Sequence, residues 1–136
     1  MKWRLTIPGQ PLSYNQSLEI HKFDRRSFNR GGGEFRKIGK TAKAVAYTNE
    51  VASRASSARP SGWHPTGFVV VEYYYFLGRY VDADNVMKLV DDGLKIAIGV
   101  DDRWFLPRAM SIVTGLRPPE RRVELLIYEL KDGGSP

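Results

Sequence analysis

The chain has 136 residues, a length that suits one domain with a buried core, and it contains no cysteine, which excludes disulfides and thiolate metal sites. Its formal net charge of +6 favours a polyanionic partner. No basic N-terminal segment leads into an apolar run and no stretch approaches a transmembrane length, so we expect a cytoplasmic protein with no membrane partner.

The chain begins with a pattern typical of a half-buried strand. Polar and apolar residues alternate from Lys2 to Ile7, and Pro8-Gly9 ends the run. Residues 11–15 continue without periodicity and include the turn formers Ser13 and Asn15.

A strongly basic segment covers residues 21–43. It holds eight lysines or arginines, interleaved with three phenylalanines and interrupted by three consecutive glycines. It has too little apolar periodicity for a core element, so we expect a loop or hairpin, for which a solvated surface segment is the ordinary explanation. Aromatic residues among the charges favour contact with a nucleic-acid backbone and some base stacking. The residues that we assign to this contact are Arg25, Arg26, Arg30, Arg36, Lys37 and Lys40.

Two regular elements follow the basic segment. Residues 41–58 are alanine-rich, with apolar residues at helical steps and Thr41 as an N-cap, which predicts a packing helix. The run from Phe68 to Leu77 is rich in Val, Tyr and Phe and is bounded by glycines, which predicts a buried strand.

An acidic motif, Asp82-Ala83-Asp84-Asn85, comes next. If the extended backbone of the strand continues through Val81, Asp82 and Asp84 project from one face about 7 Å apart, and one divalent cation could touch both. A purely structural role is the alternative, because aspartate before a helix is common as a cap.

A helix is predicted directly after this motif. Apolar residues recur at steps of three and four from Asn85 to Ile98, with Asp84 or Asn85 as the N-cap and Gly99 as the end. Lys88 lies one turn above Asp84 on the same face. Carboxylates, a helix start and a lysine at one place suit an ion and a phosphodiester.

The remainder of the chain contains a second acidic pair and two strand patterns. Asp101-Asp102 alone is most often a turn. Residues 109–116 and 123–130 are predicted to form an antiparallel pair of strands, and residues 131–136 a flexible tail. The predicted fold is α+β: a mixed sheet of about four strands with two main helices packed on it, in a single domain over residues 1–130.

The order of these motifs resembles the RusA-type Holliday junction resolvases. The resemblance covers most of the domain and rests on residues 7–15 and on the pattern D-x-D-N-x-x-K followed by a D-D pair. It implies a homodimeric, Mg²⁺-dependent endonuclease that acts on four-way DNA junctions. In that reading Asp82, Asp84 and Asp102 are catalytic and bind the metal, Asp101 lies beside them as a further metal residue, Lys88 assists catalysis, and Asn15 contacts DNA.

The residue types fit the implied metal, and one other function stays open. Aspartate oxygens without cysteine or clustered histidine select a hard cation, Mg²⁺ or Mn²⁺, over zinc. The alternative is a non-catalytic, basic nucleic-acid-binding protein in which the aspartates only cap and shape the fold. Four carboxylates near a phosphate-binding surface cost affinity unless a metal is present, which favours the nuclease.

How the two acidic pairs meet is also open at this point. A helix over residues 85–98 is about 21 Å long, so Asp84 and Gly99 begin on opposite sides of the domain. Either the chain after Gly99 doubles back toward Asp84, or Asp101 or Asp102 of one subunit approaches the first pair of another across a two-fold interface. The short reach from Gly99 to Asp102 slightly favours the shared arrangement.

Overall fold

The computed structural model of the protein describes residues 1–12, 18–22 and 36–130. It confirms the predicted α+β fold, with a mixed four-stranded sheet and two helices. In chain order the strands and helices are β1 (Lys2–Pro8), β2 (Leu18–Lys22), β3 (Arg36–Lys40), α1 (Ala42–Ala58), β4 (Val69–Phe76), α2 (Ala83–Ile98), β5 (Phe105–Val113) and β6 (Arg122–Glu129).

One face of the four-stranded sheet forms the core together with the two helices. The strand order is β1-β6-β4-β5, with β6 antiparallel to both β1 and β4 and with β4 parallel to β5. Alternate residues of a strand share a face, and each fully buried aliphatic side chain stabilises the fold by about 1.5–3 kcal/mol. The buried residues on this face are Trp3, Leu5 and Ile7 of β1, Val69, Val71, Tyr73 and Tyr75 of β4, and Val123, Leu125 and Ile127 of β6.

The predicted antiparallel pairing of the last two strands is wrong. β5 begins at Phe105 and pairs in parallel with β4, whereas β6 pairs with β4 on its other side. β4 therefore lies between β5 and β6. Its sequence fits that position, because Val69, Val70 and Val71 are all fully buried, as expected for a strand with a neighbour on each side.

The path from β4 through α2 to β5 is a parallel strand–helix–strand unit. In such a unit the helix runs back against the direction of the two strands. The start of α2 therefore lies at the carboxyl end of β4. The end of α2 lies at the amino end of β4, where Phe105 of β5 pairs with Val69.

Part of the basic segment forms a small second sheet. β2 and β3 pair in antiparallel register, with Leu18 opposite Lys40, which agrees with the expected loop or hairpin. Of the residues assigned to DNA contact, Arg36, Lys37 and Lys40 lie in β3. Those that lie outside the described residues are Asn15, Arg25, Arg26 and Arg30, together with the tail 131–136.

The two helices approach each other closely. α1 begins where predicted, because the Thr41 hydroxyl accepts a hydrogen bond from the Ala44 amide at 3.1 Å. A Cβ atom added at Gly93 of α2 would come within 2.6 Å of Val51 Cβ and 2.8 Å of the Thr48 carbonyl oxygen on α1. Within the described ranges, no helix combines the length and the apolar character needed to cross a membrane.

Replacing Gly93 tests this close approach. Gly93→Ala gains about 1 kcal/mol of helix propensity but forces the helices apart, so we expect a net loss of about 1–2 kcal/mol in the free energy of unfolding, measured by urea titration. The matched variant Val51→Gly removes both Val51 atoms that the added Cβ would meet, Cβ and Cγ1, each at 2.6 Å. A double variant less destabilised than the sum of the single variants would support the contact, and strict additivity would contradict it.

Candidate active site

The first acidic pair lies at the N-terminus of α2, in a different arrangement from the predicted one. The helix begins at Ala83, so Asp82 rather than Asp84 or Asn85 is the N-cap, and its Oδ1 accepts a hydrogen bond from the Asp84 amide at 3.0 Å. Asp84 is in the first helical turn. The prediction that both aspartates project from an extended strand is therefore wrong, because helix formation starts one residue after Asp82. Both side chains are exposed at the positive end of the helix dipole.

A stripe of alternating charge continues from Asp84 along one flank of α2. Asp84, Lys88, Asp91 and Lys95 follow one another at steps of four, three and four residues, which places them within an arc of about 60°. We call these four residues the charged flank. Lys88 lies one turn from Asp84, as predicted, and Gly99 ends the helix with a φ of 78°.

A buried hydrogen bond holds the acidic end of α2 against the sheet. The hydroxyl of Tyr75, a residue only 1% exposed, donates to the Ala83 carbonyl oxygen at 3.2 Å, directly between the two aspartates. Burial above all, together with the charges of Asp91, Asp84 and Asp82, raises the pKa of Tyr75, so this hydroxyl stays protonated as a donor. Tyr75 therefore fixes the position of the first acidic pair.

The connection from β4 to α2 is also held by hydrogen bonds from the segment that follows β1. Gln10, just after β1, accepts from the Gly78 amide through Oε1 at 2.8 Å, and its Nε2 donates to the Arg79 carbonyl oxygen at 3.3 Å. The N-terminal turn thus supports the segment that leads to Asp82.

Asp91 belongs to this region and was missed by the sequence interpretation. It is partly buried in the middle of α2, where the Tyr73 hydroxyl donates to its Oδ1 at 2.5 Å. Burial raises the pKa of Asp91 to about 6; the Tyr73 hydrogen bond opposes this shift, and the charges of Asp102 and Asp92 add to it. A sequence signal existed, since Asp91 lies seven residues after Asp84 and β4 supplies tyrosines whose hydroxyls need partners.

The second acidic pair lies at the other end of α2. Asp101 caps a short 3₁₀ helix, Asp102–Trp104, by accepting from the Arg103 amide at 3.0 Å, and this hydrogen bond is the main cause of the lowered pKa of Asp101. Asp102 lies beside α2, where its Oδ2 is 4.0 Å from Lys95 Nζ. Because both side chains of that ion pair are nearly half exposed, it contributes little to stability.

A single chain therefore does not bring the two acidic pairs together. Asp84 and Lys95, the neighbour of Asp102, are eleven residues apart on α2, or about 16 Å along its axis. Among the residues that the structure describes, no three acidic or histidine side chains gather closely enough to hold a metal ion. The chain after Gly99 folds back along α2, so that Asp102 lies near Lys95 and its charge helps to raise the pKa of Asp91.

The donor chemistry at the start of α2 nevertheless fits a hard cation. Mg²⁺ is usually held by one or two carboxylates together with water and substrate phosphate rather than by a cage of protein ligands. Asp82 and Asp84 supply two exposed carboxylates of this kind, and only one oxygen of Asp82 is used in capping. The pair suits an ion that also contacts a phosphate.

The chain was compared with protein-family models and with curated proteins, and neither comparison finds a match.

The raised pKa of Asp91 leads to a pH-dependent prediction. A carboxyl whose pKa is higher in the folded than in the unfolded chain stabilises the fold below about pH 4, and that contribution is lost as the pH rises through about 6. The variant Asp91→Asn has no carboxyl at this position, so it does not lose this stability as the pH rises. We expect the stability of this variant relative to wild type to increase by up to about 3 kcal/mol between pH 4 and pH 7, measured by denaturant unfolding.

A second variant provides the control for this measurement. Tyr73→Phe removes the hydrogen bond that favours the Asp91 carboxylate, so the fall in stability should become larger and extend to higher pH. Parallel pH profiles for Asp91→Asn and wild type would show that Asp91 does not titrate in this range.

Proposed function

We propose that the protein is a metal-dependent endonuclease that resolves four-way DNA junctions by phosphodiester hydrolysis and acts as a homodimer in the cytoplasm. The observation that carries the proposal is the exposed pair Asp82 and Asp84 at the N-terminus of α2, with Lys88 one turn further on. A helix N-terminus attracts phosphate, two carboxylates attract a hard cation, and a phosphodiester with its metal ion needs both.

In the proposed reaction the aspartates bind the metal ion and Lys88 acts on the phosphate. Asp82 and Asp84 would hold Mg²⁺, or Mn²⁺ in its place, with Asp101 and Asp102 as the remaining acidic groups. When bound there, the metal would supply activation of the attacking water and neutralisation of the leaving oxygen. Lys88 would stabilise negative charge that develops on the phosphate, and Tyr75 keeps the helix start in position.

Affinity for DNA comes from the basic residues of the chain. The net charge of +6 and the concentration of lysine and arginine in residues 21–43 suit a phosphate backbone. The proposed contacts are Asn15, Arg25, Arg26, Arg30, Arg36, Lys37 and Lys40. Such contacts carry little sequence information, so junction preference would come from shape and from the two-fold geometry of the dimer.

The second candidate, a non-catalytic nucleic-acid-binding protein, is favoured by one observation. Asp82 caps α2 and Asp101 caps the 3₁₀ helix, so two of the four aspartates have structural roles that need no metal. Asp84 is not a cap. It is therefore the residue at which the two candidates differ most.

The variant Asp84→Asn tests the proposal. It removes a metal-binding carboxylate without disturbing the Asp82 cap, and it lowers the repulsion of phosphate. We expect junction cleavage to fall by at least about 100-fold while junction binding is unchanged or tighter, measured by gel cleavage and gel shift on one preparation.

Glu50→Gln is the matched control, because it neutralises an exposed carboxylate on α1 that pairs with Arg54 at 2.9 Å. This variant should cut as wild type does. A folded Asp84→Asn protein with full cleavage activity would favour the non-catalytic alternative.

A further inference from the structure

We propose that the face of the four-stranded sheet opposite to the helices binds single-stranded nucleic acid, with arginine and lysine side chains on the phosphates and two tyrosine rings against the bases. The helix α2, which carries the first acidic pair, packs on the other face of the sheet. The inference therefore goes beyond the proposed function and concerns a separate surface.

The strand register decides which side chains share this face. Successive residues of a strand point to opposite faces, so the residues that alternate with the buried core positions lie on the far side of the sheet from the helices. One row across the sheet aligns Arg4 with Leu126, Leu126 with Glu72, and Glu72 with Arg108. We call the surface formed by Lys2, Arg4, Glu72, Tyr74, Arg108 and Tyr128 the outer face.

The charges on this side of the sheet favour a polyanion. The cations at its outward positions are Lys2, Arg4, Arg108 and Arg122, and the carboxylates are Glu72 and Glu124. Arg122 pairs with Glu124 at 2.5 Å, which leaves Lys2, Arg4 and Arg108 with Glu72 alone. Arg4 and Arg108 are exposed on the two outermost strands, about 14 Å apart across the sheet. They suit two phosphates of one chain.

Glu72 fixes two tyrosine rings between these cations. Its Oε1 accepts from the Tyr74 hydroxyl at 2.9 Å, and its Oε2 accepts from the Tyr128 hydroxyl at 2.6 Å. The Tyr128 hydrogen bond above all lowers the pKa of Glu72, against the effect of burial, so the carboxylate stays ionised and continues to accept both bonds. Both tyrosines are partly exposed. Their rings are therefore held in place and remain open to a ligand.

This combination matches what a single strand needs. Proteins that bind single strands combine a basic surface with aromatic side chains on which the bases stack, and rings that are already fixed lower the cost of ordering on binding. The bases of a duplex are stacked on one another, so the rings favour a single strand. Glu72 is only 9% exposed and both of its oxygens accept from tyrosine, so it presents little negative charge to a phosphate.

Titration with a labelled oligothymidine of about 12 nucleotides in EDTA tests the phosphate contacts. Arg4→Gln/Arg108→Gln should bind at least about 10-fold more weakly at low salt. The slope of log K against log salt should fall by about 1.4, because each phosphate contact on a single strand contributes about 0.7. The matched control Lys43→Gln/Arg54→Gln removes two exposed cations from α1 and should keep the wild-type slope. A wild-type affinity and slope in Arg4→Gln/Arg108→Gln would overturn the inference.

An abasic oligonucleotide of the same length tests the stacking. The wild-type protein should bind the base-bearing strand about 10-fold more tightly than the abasic one. Tyr74→Phe keeps the ring and should retain most of this preference, whereas Tyr74→Leu should lose most of it, with thermal unfolding showing that both variants are folded. An equal preference in wild type and Tyr74→Leu would place the stacking elsewhere and contradict the role of this face.

Further outcomes distinguish other occupants and the proposed function. If Arg4→Gln/Arg108→Gln lost duplex and single-strand binding equally, or if sedimentation showed that it had changed from dimer to monomer, the assignment to single strands would be overturned. A wild-type protein that passes both binding tests but never cuts a four-way junction in Mg²⁺ would overturn the nuclease function alone. A junction-cutting protein whose outer-face variants bind oligothymidine as wild type does would overturn this inference alone.

Discussion

The connection from β4 through α2 to β5 constrains every other feature of the candidate site. Two parallel strands joined by a helix require the helix to run back along their length, so residues before and after the helix lie at opposite ends of the sheet. The first acidic pair lies at the start of α2 and the second follows the end of the helix. Their separation is therefore a consequence of topology.

The same unit holds α2 against the sheet. Tyr75 and Tyr73, stacked with ring centroids 5.8 Å apart, donate to the Ala83 carbonyl and to Asp91 and attach the helix to the sheet at two points. Gly93 allows α1 to pack closely against the opposite side of α2. The exposed carboxylates are thus held by a buried support, which is the arrangement expected where ligand positions must be precise.

The sequence predicted the elements well and their arrangement less well. The strand Lys2–Pro8 and the helix Ala42–Ala58 follow from simple periodicity and a good N-cap. The start of α2 was misplaced because Asp82, Asp84 and Asn85 are all residues that cap helices, and only the backbone distinguishes them. β5 was predicted to begin at Ala109 but begins at Phe105, and it includes Pro107, which is tolerated on an edge strand such as β5.

Strand pairing and the role of Asp91 depended on tertiary contacts. Nothing local in residues 105–129 distinguishes a β5–β6 hairpin from two strands on either side of β4, because that choice is made by the burial of β4. In the sequence, Asp91 is likewise an ordinary polar position on a helix. Only the structure shows that the Tyr73 hydroxyl donates a hydrogen bond to it. The placement of Lys88 one turn from Asp84 was predicted correctly, because it depends only on the helical period.

The most direct test of the account is the fate of a synthetic four-way junction incubated with the wild-type protein in Mg²⁺ and, in parallel, in EDTA. The account predicts paired incisions on two opposed strands in Mg²⁺, with the junction bound but uncut in EDTA. A junction that is bound equally well and remains intact in both conditions would contradict it and would identify the aspartates as structural caps in a DNA-binding protein.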